Sequence, residues 1–258
     1  MSRLHRRLLS LLSACALVLA LAGTASAENY VAMGDSYSSG VGAFSSNLSS
    51  SCIRNTYAYP YLLAQQRGSA LSFVACSGAV TGDVINNQVG AASSSTNLVT
   101  ITIGGNDVGF ADLIIACTTW GCSSQISDSN AQIANQLGPK LDATYAAIRS
   151  HAPNARVVVL GYARPFANRT CSAATGVTLS EESALNNLTD NLNAKIRERA
   201  QAAGFTFVDV NPYWAGHDVC SSSRYTNGFV WYSATNSYHP TRDGYRYGDV
   251  PAVRAIIG

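Results

Sequence analysis

The sequence predicts a three-layer α/β/α domain built on a mainly parallel, doubly wound sheet of five strands. Two observations carry this. Five short apolar segments mostly lack the apolar-polar alternation of a half-exposed strand, which is the pattern of strands covered on both faces. They are also separated by helical stretches, as βαβ crossovers require.

The strands are expected at Tyr30 to Met33, Leu71 to Ala75, Leu98 to Ile103, Arg156 to Leu160 and Phe205 to Val208. Helices are expected at about Tyr57 to Gln66, Ala131 to Ser150, Glu181 to Ala203 and, at the C-terminus, Pro251 to Ile257. Ser180 ahead of Glu181 and Glu182 reads as a helix start, and Gly204 as its end. The segment between the second and third strands reads as a loop. The winding is flavodoxin-like, and in such sheets ligands bind outside the carboxyl ends of the strands. Functional residues are therefore sought just after each apolar run.

Residues 1–27 stand apart from this scheme. Arg3, His5, Arg6 and Arg7 form a basic start, Leu8 to Ala22 is apolar, and Ala25-Ser26-Ala27 is a small-residue cleavage signal. The reading is an export signal removed ahead of Glu28, since the apolar run is short for a membrane anchor and a cleavage site follows it at once. The expected mature chain is one domain, residues 28–258, extracellular and monomeric. It carries 14 basic and 15 acidic residues, a net charge of about −1. That balance gives no reason to expect a nucleic acid or an anionic membrane as partner.

Six of the seven cysteines lie beyond the signal: Cys52, Cys76, Cys117, Cys122, Cys171 and Cys220. An even number in an exported chain reads as three disulfides, and spacing alone favours only the local Cys117–Cys122 bridge. A zinc site is disfavoured, because no C-x-x-C pair occurs and histidines are few.

The first strand runs into Gly34-Asp35-Ser36-Tyr37-Ser38-Ser39-Gly40. A serine on a sharp turn at a strand end can hold its hydroxyl above the sheet, although Gly, Asp and Ser are also ordinary turn residues. The second strand leads into Cys76-Ser77-Gly78-Ala79 and the third into Gly104-Gly105-Asn106-Asp107. Both turns offer small N–H donors at the same sheet edge, as a tetrahedral oxyanion needs, with Asn106 toward substrate and Asp107 holding the turn. Of the histidines beyond the signal, His151 reads as a helix-end residue and His217 as a rival base after the fifth strand. His239, in Asn236-Ser237-Tyr238-His239-Pro240, lies in a loop that the proline keeps extended and that can reach back toward Ser36.

Taken together, Gly34-Asp35-Ser36-Tyr37, Gly78, the Gly104-Gly105-Asn106-Asp107 turn and His239 before Pro240 resemble, in order, the sequence blocks of the SGNH (GDSL-type) hydrolases. Within that family the chain resembles secreted actinomycete lipases and phospholipases A1. The resemblance implies Ser36 as nucleophile, His239 as general base, and an oxyanion hole from the Ser36 and Gly78 N–H groups and the Asn106 amide. It also implies disulfides Cys52–Cys76, Cys117–Cys122 and Cys171–Cys220. Asn236 stands where many members have an aspartate, so a main-chain carbonyl, that of Asn236, is implied as the group orienting His239. Asp243 and Asp218 are the backup carboxylates, although Asp243 also reads as a cap of the last helix and Asp218 as a turn residue.

The implied chemistry is acyl transfer to Ser36 with no metal or cofactor. The expected substrates are lipids or small esters, first fatty-acyl esters and phospholipids, with carbohydrate acetyl esters as the alternative and a non-catalytic binding protein as the contrary reading. A redox role is disfavoured by the missing C-x-x-C pair and the missing dinucleotide fingerprint. Val41, Ala43, Phe44, Val108 and Phe110 stand near the site as acyl-chain contacts or as plain packing.

Overall fold

The computed structural model describes residues 27–258 apart from Trp120. The expected signal, residues 1–27, lies outside the described residues except for Ala27. Strands β1 (Asn29–Gly34), β2 (Ala70–Phe73), β3 (Leu98–Thr102), β4 (Arg156–Leu160) and β5 (Thr206–Val208) form one sheet in the order β2-β1-β3-β4-β5. All four pairings are parallel, with Tyr30 beside Leu71 and Leu98, and Val99 beside Val157.

Alternate side chains of β1, β3, β4 and β5 feed two cores, whereas the edge strand β2 exposes Ala70 and Ser72 and half-buries Leu71 and Phe73. Val31, Met33, Val99, Ile101, Val157 and Val159 point into one, and Tyr30, Ala32, Leu98, Val158, Leu160 and Val208 into the other. In β1, β3 and β4 both faces are buried, which is why these strands read as continuous apolar runs. The first core is closed by helices α1 (Phe110–Cys117), α2 (Gly138–His151) and α3 (Leu179–Ala202). In α3, Leu185, Leu188, Leu192 and Ile196 are wholly buried at helical spacing. Each such side chain contributes about 1.5–3 kcal/mol by leaving water. The second core is covered by helices Tyr59–Arg67 and Val250–Ile257, with Tyr59, Leu63, Tyr245 and Val253 buried between helix and sheet.

Several expected boundaries shift. The helix placed at Ala131 is already helical from Ser123, through Ser123–Gln132 and the π-helical turn Ile133–Leu137 into α2. The α3 cap is Thr178, not Ser180, and it exchanges hydrogen bonds with Glu181 in a capping box. The expected loop between β2 and β3 is helical over 81–91. Its Gly, Asn and β-branched content hides the helix from pattern reading. Asp243 precedes the last helical run but makes no side-chain cap bond, and the hydroxyl of Thr241 accepts the Gly244 N–H instead.

Strand order reverses between β1 and β3. The crevice beyond their carboxyl ends is the switch point of the sheet. Ser36 follows β1 and Asn106 follows β3, so both stand at its mouth.

Candidate active site

The turn after β1 is built by Gly34 and Asp35. Gly34 has φ +120°, and a Cβ there would lie 2.4 Å from the Thr102 carbonyl oxygen, so only glycine fits between the strands. Asp35 caps the single helical turn Ser36–Ser39 by accepting the Tyr37 N–H at 2.9 Å. Gln88, from the helical segment after β2, donates to the Gly34 carbonyl and accepts its N–H at 3.0 and 2.7 Å. Ser36 is thereby fixed at the first position of a helical turn.

His239 reaches it across the sheet edge. Its Nε2 lies 2.8 Å from Ser36 Oγ, and both residues are buried. Nδ1–H donates to the Ser237 carbonyl at 3.0 Å. The expected Asn236 carbonyl is therefore not the orienter. Asn236 closes a short helical turn, Ser237 is extended, and Tyr238 adopts φ +56°, which folds the carbonyl two residues back, rather than three, onto the imidazole. The Asn236 side chain works nearby instead, with Oδ1 accepting the Gly42 N–H at 2.9 Å and Nδ2 donating to Ser233 Oγ at 2.7 Å.

Burial holds the His239 imidazolium down, with its pKa at about 4 although the Ser237 bond favours the charged form. The ring is neutral at pH 7, as a proton acceptor must be. Neither backup carboxylate touches it: Asp218 pairs with Arg169 at 2.9 Å and accepts the Cys220 N–H. His217 is also set apart, stacked on Tyr225 at 3.8 Å with Nδ1 bonded to the Ser223 carbonyl at 2.6 Å. His151 ends α2, exposed.

The donor side of the site is assembled from two turns. Asn106 Nδ2 spends one hydrogen on the Ala79 carbonyl at 3.0 Å, which leaves its second free. Among the described residues neither the Ser36 nor the Gly78 N–H has a protein acceptor. Asp107 binds the Thr81 N–H and hydroxyl at 2.9 and 2.7 Å and pairs with Lys140, so it locks the Gly78 turn to the Asn106 turn. Disulfide Cys52–Cys76 fastens the segment after Ser36 to the same turn. The other bridges are Cys117–Cys122 and Cys171–Cys220. Among the described residues one cluster of metal-ligand type occurs, Cys117, Cys122 and Glu181, and its two cysteines are joined to each other.

Tyr162 was not foreseen as a site residue. Its hydroxyl donates to Asp35 Oδ2 and accepts the Gly105 N–H at 2.9 Å, joining the β1 turn to the β3 turn. Burial pushes the Asp35 carboxyl up to about 7, against the Tyr162 and Tyr37 bonds that favour the carboxylate. The available signal was position, because Tyr162 follows β4 at the carboxyl edge. Of the five apolar side chains considered as acyl contacts, Val41, Ala43, Val108 and Phe110 are core residues, while Phe44 is half exposed.

Comparisons with known proteins identify the family and the fold. The sequence profile of the GDSL-like lipase/acylhydrolase family matches residues 32–247. Lipase 1 of Streptomyces coelicolor is 45% identical over 235 residues, covering 89% of this chain and 87% of its own length. The crystal structure of an extracellular lipase from Streptomyces rimosus superimposes with a TM-score of 0.84 at 44% identity, over 89% of this chain and 99% of that one. A phospholipase A1 from Streptomyces albidoflavus NA297 superimposes with a TM-score of 0.85 at 42% identity and the same coverage.

Proposed function

The chain belongs to the GDSL-like lipase/acylhydrolase family, and from that premise we propose that it is a secreted hydrolase of fatty-acyl esters, phospholipids included, working through Ser36 and His239. The observation that carries the proposal is the 2.8 Å bond between Ser36 Oγ and His239 Nε2, on a ring whose other nitrogen is tied to a carbonyl. Ser36 Oγ adds to the ester carbonyl carbon while its proton passes to Nε2. The oxyanion receives hydrogen bonds from the Ser36 and Gly78 N–H groups and the free hydrogen of Asn106 Nδ2. As the carbonyl re-forms, the C–O bond to the alcohol breaks and His239 returns the proton to the leaving oxygen. Water, deprotonated by His239, then adds to the acyl carbon, and as the carbonyl re-forms the bond to Ser36 Oγ breaks and His239 returns the proton to that oxygen, releasing the acid.

Ser237 supplies orientation and tautomer, the part a carboxylate plays in a triad. Without that anion, the imidazolium formed in the transition state is offset by the oxyanion itself. The export reading rests on the sequence of residues 1–27 and on three disulfides, bonds that persist in oxidising compartments. Among the described residues no helix is long and apolar enough to cross a membrane.

The test compares p-nitrophenyl butyrate, p-nitrophenyl palmitate and phosphatidylcholine as substrates for the protein, Ser36→Ala and His239→Ala. Both variants are expected to lose at least about 10³-fold in kcat while keeping their thermal transitions. Turnover of all three esters supports the acyl-ester assignment, and the fatty acid released from phosphatidylcholine gives the position cleaved. A folded, oxidised protein without turnover on any of them overturns it.

A further inference from the structure

We infer that the rim of the Ser36–His239 site is an adsorption surface for lipid of no net charge, formed by Phe44, Phe229, Trp231 and Tyr232; this rests on, and deepens, the acyl-ester reading above. Trp231 is 82% exposed, Tyr232 67%, Phe44 48% and Phe229 37%. Three of them form a group, with the rings of Trp231 and Tyr232 5.4 Å apart and those of Tyr232 and Phe44 6.4 Å apart, and Phe229 stands two positions before Trp231 in the same segment. Large aromatic side chains are seldom left this open, and clustered they mark a contact surface.

Three further observations point to a lipid surface as the occupant. First, the group is continuous with the dyad. The Val230 N–H donates to Ser237 Oγ at 2.8 Å, and the carbonyl of that residue holds His239. Gly42, two residues before Phe44, is bonded to Asn236 and Asn227, and a Cβ on it would lie 2.9 Å from His239 Cβ. The segments that carry the aromatic rings are therefore bonded directly to the loop that holds His239 against Ser36.

Second, both carrier segments are free of acidic and basic side chains. None occurs over 36–53, between Asp35 and Arg54, nor over 225–241, between Arg224 and Arg242. At the chain average of 12% charged residues, about four would be expected in these two stretches. Arg224, Arg242 and Asp243 line the hollow beside Phe44, with Arg242 Nε donating to the Ala43 carbonyl at 2.9 Å, so charges of both signs border the patch, while the patch itself carries Trp and Tyr, whose amphipathic rings settle at the boundary between hydrocarbon and water without need of lipid charge.

Third, Phe44 has φ +52°. The left-handed region is costly for a residue with a Cβ. Strain of this kind persists where function requires it. Here it holds an apolar side chain out toward water, where packing returns little for it.

Adsorption is measured on Ser36→Ala, which leaves the lipid intact, so the result does not depend on turnover. Sucrose-loaded vesicles of phosphatidylcholine, with and without phosphatidylglycerol, are titrated and the bound fraction sedimented. The combined change Phe44→Ser, Trp231→Ser, Tyr232→Ser in that background is expected to weaken partitioning at least about tenfold. Leu179→Ser, at an exposed apolar residue on α3, is expected to leave it within about twofold.

In the otherwise native protein the triple change is expected to lower hydrolysis of vesicle lipid by a similar factor and to leave kcat/KM on soluble p-nitrophenyl acetate within about threefold. Equal partitioning of parent and triple variant overturns the inference. So does a gain of more than about tenfold on adding phosphatidylglycerol, which would make the attraction electrostatic. Partitioning that depends on the aromatic group, in a protein without esterase activity, would leave the surface standing and remove the acyl-ester reading.

Discussion

His239 acts as a base only when uncharged, so acid is the sharpest probe of the site. Its pKa of about 4, against 6.5 for an ordinary histidine, comes from burial with only partial relief from the Ser237 carbonyl. At pH 5 about 90% of a group titrating at 4 is neutral, against about 3% of one titrating at 6.5, a roughly thirty-fold difference in usable base. The gap between about 4 and 6.5 corresponds to roughly 3 kcal/mol against the charged ring. Initial rates on p-nitrophenyl butyrate, read after an alkaline quench, give kcat/KM across pH, and its acid limb reports the free enzyme. The limb is expected near pH 4, with most of the plateau rate kept at pH 5. A limb centred near 6.5 would refute the burial argument. Asp35 titrates at about 7, so Asp35→Asn is run in parallel, and the limb that survives in it belongs to His239. Stability carries the same sign: the native ring resists a proton that the unfolded chain accepts below about 6.5. Conformational stability should therefore fall between about pH 6.5 and 4, a slope missing from His239→Gln.

Asn236→Ala leaves the Ser237 carbonyl in place and strips the Gly42 N–H of its acceptor. We expect about 1–3 kcal/mol off unfolding stability and less than about tenfold off kcat; a drop of about 10³-fold would return the orienting role to Asn236. Tyr162→Phe removes the hydroxyl between Asp35 and Gly105. It should cost roughly 2–4 kcal/mol in denaturant unfolding and raise the Asp35 pKa in a carbon-13 carboxyl titration, since the lost bond favoured the carboxylate. Asp249, buried beside Trp214 Nε1–H, is pushed up to about 8 by burial. The folded chain thus holds a proton that the unfolded chain releases, and stability is lost as pH rises from about 4 through 8. Asp249→Asn keeps the acceptor, so its Tm should rise relative to the parent as pH increases over that range; a constant difference would refute the assignment.

Strands β1, β3 and β4 were legible because burial on both faces leaves uninterrupted apolar runs, and β4 falls on its expected bounds. The 81–91 segment was not, since Gly82, Gly90, Asn86 and Asn87 are weak helix formers and the segment is held by tertiary contacts such as the Gln88–Gly34 pair. Within the site, Ser36, Gly78, Asn106 and His239 could be singled out because each follows a strand or stands in a marked turn. Ser237 could not. Carbonyls are carried by every residue, and whether the second or the third before a histidine faces its ring depends on the φ of Tyr238, which no residue-type rule supplies. Tyr162 needed the same three-dimensional information, since its partners lie 127 and 57 positions away.

A histidine steered by an amide carbonyl has a consequence for where catalysis can take place. Ser36 and His239 are both formally neutral at rest, and on attack the imidazolium and the oxyanion of the substrate arise together, so dyad and substrate never acquire a net charge between them. A site with a permanent counter-anion carries its hydration with it, and pressing such a site toward hydrocarbon costs solvation at every encounter. Here the ions appear only after the acyl group is in place and vanish when the alcohol leaves. On the proposed mechanism the dyad therefore meets an oil–water boundary uncharged, creating polarity only for the lifetime of each tetrahedral species.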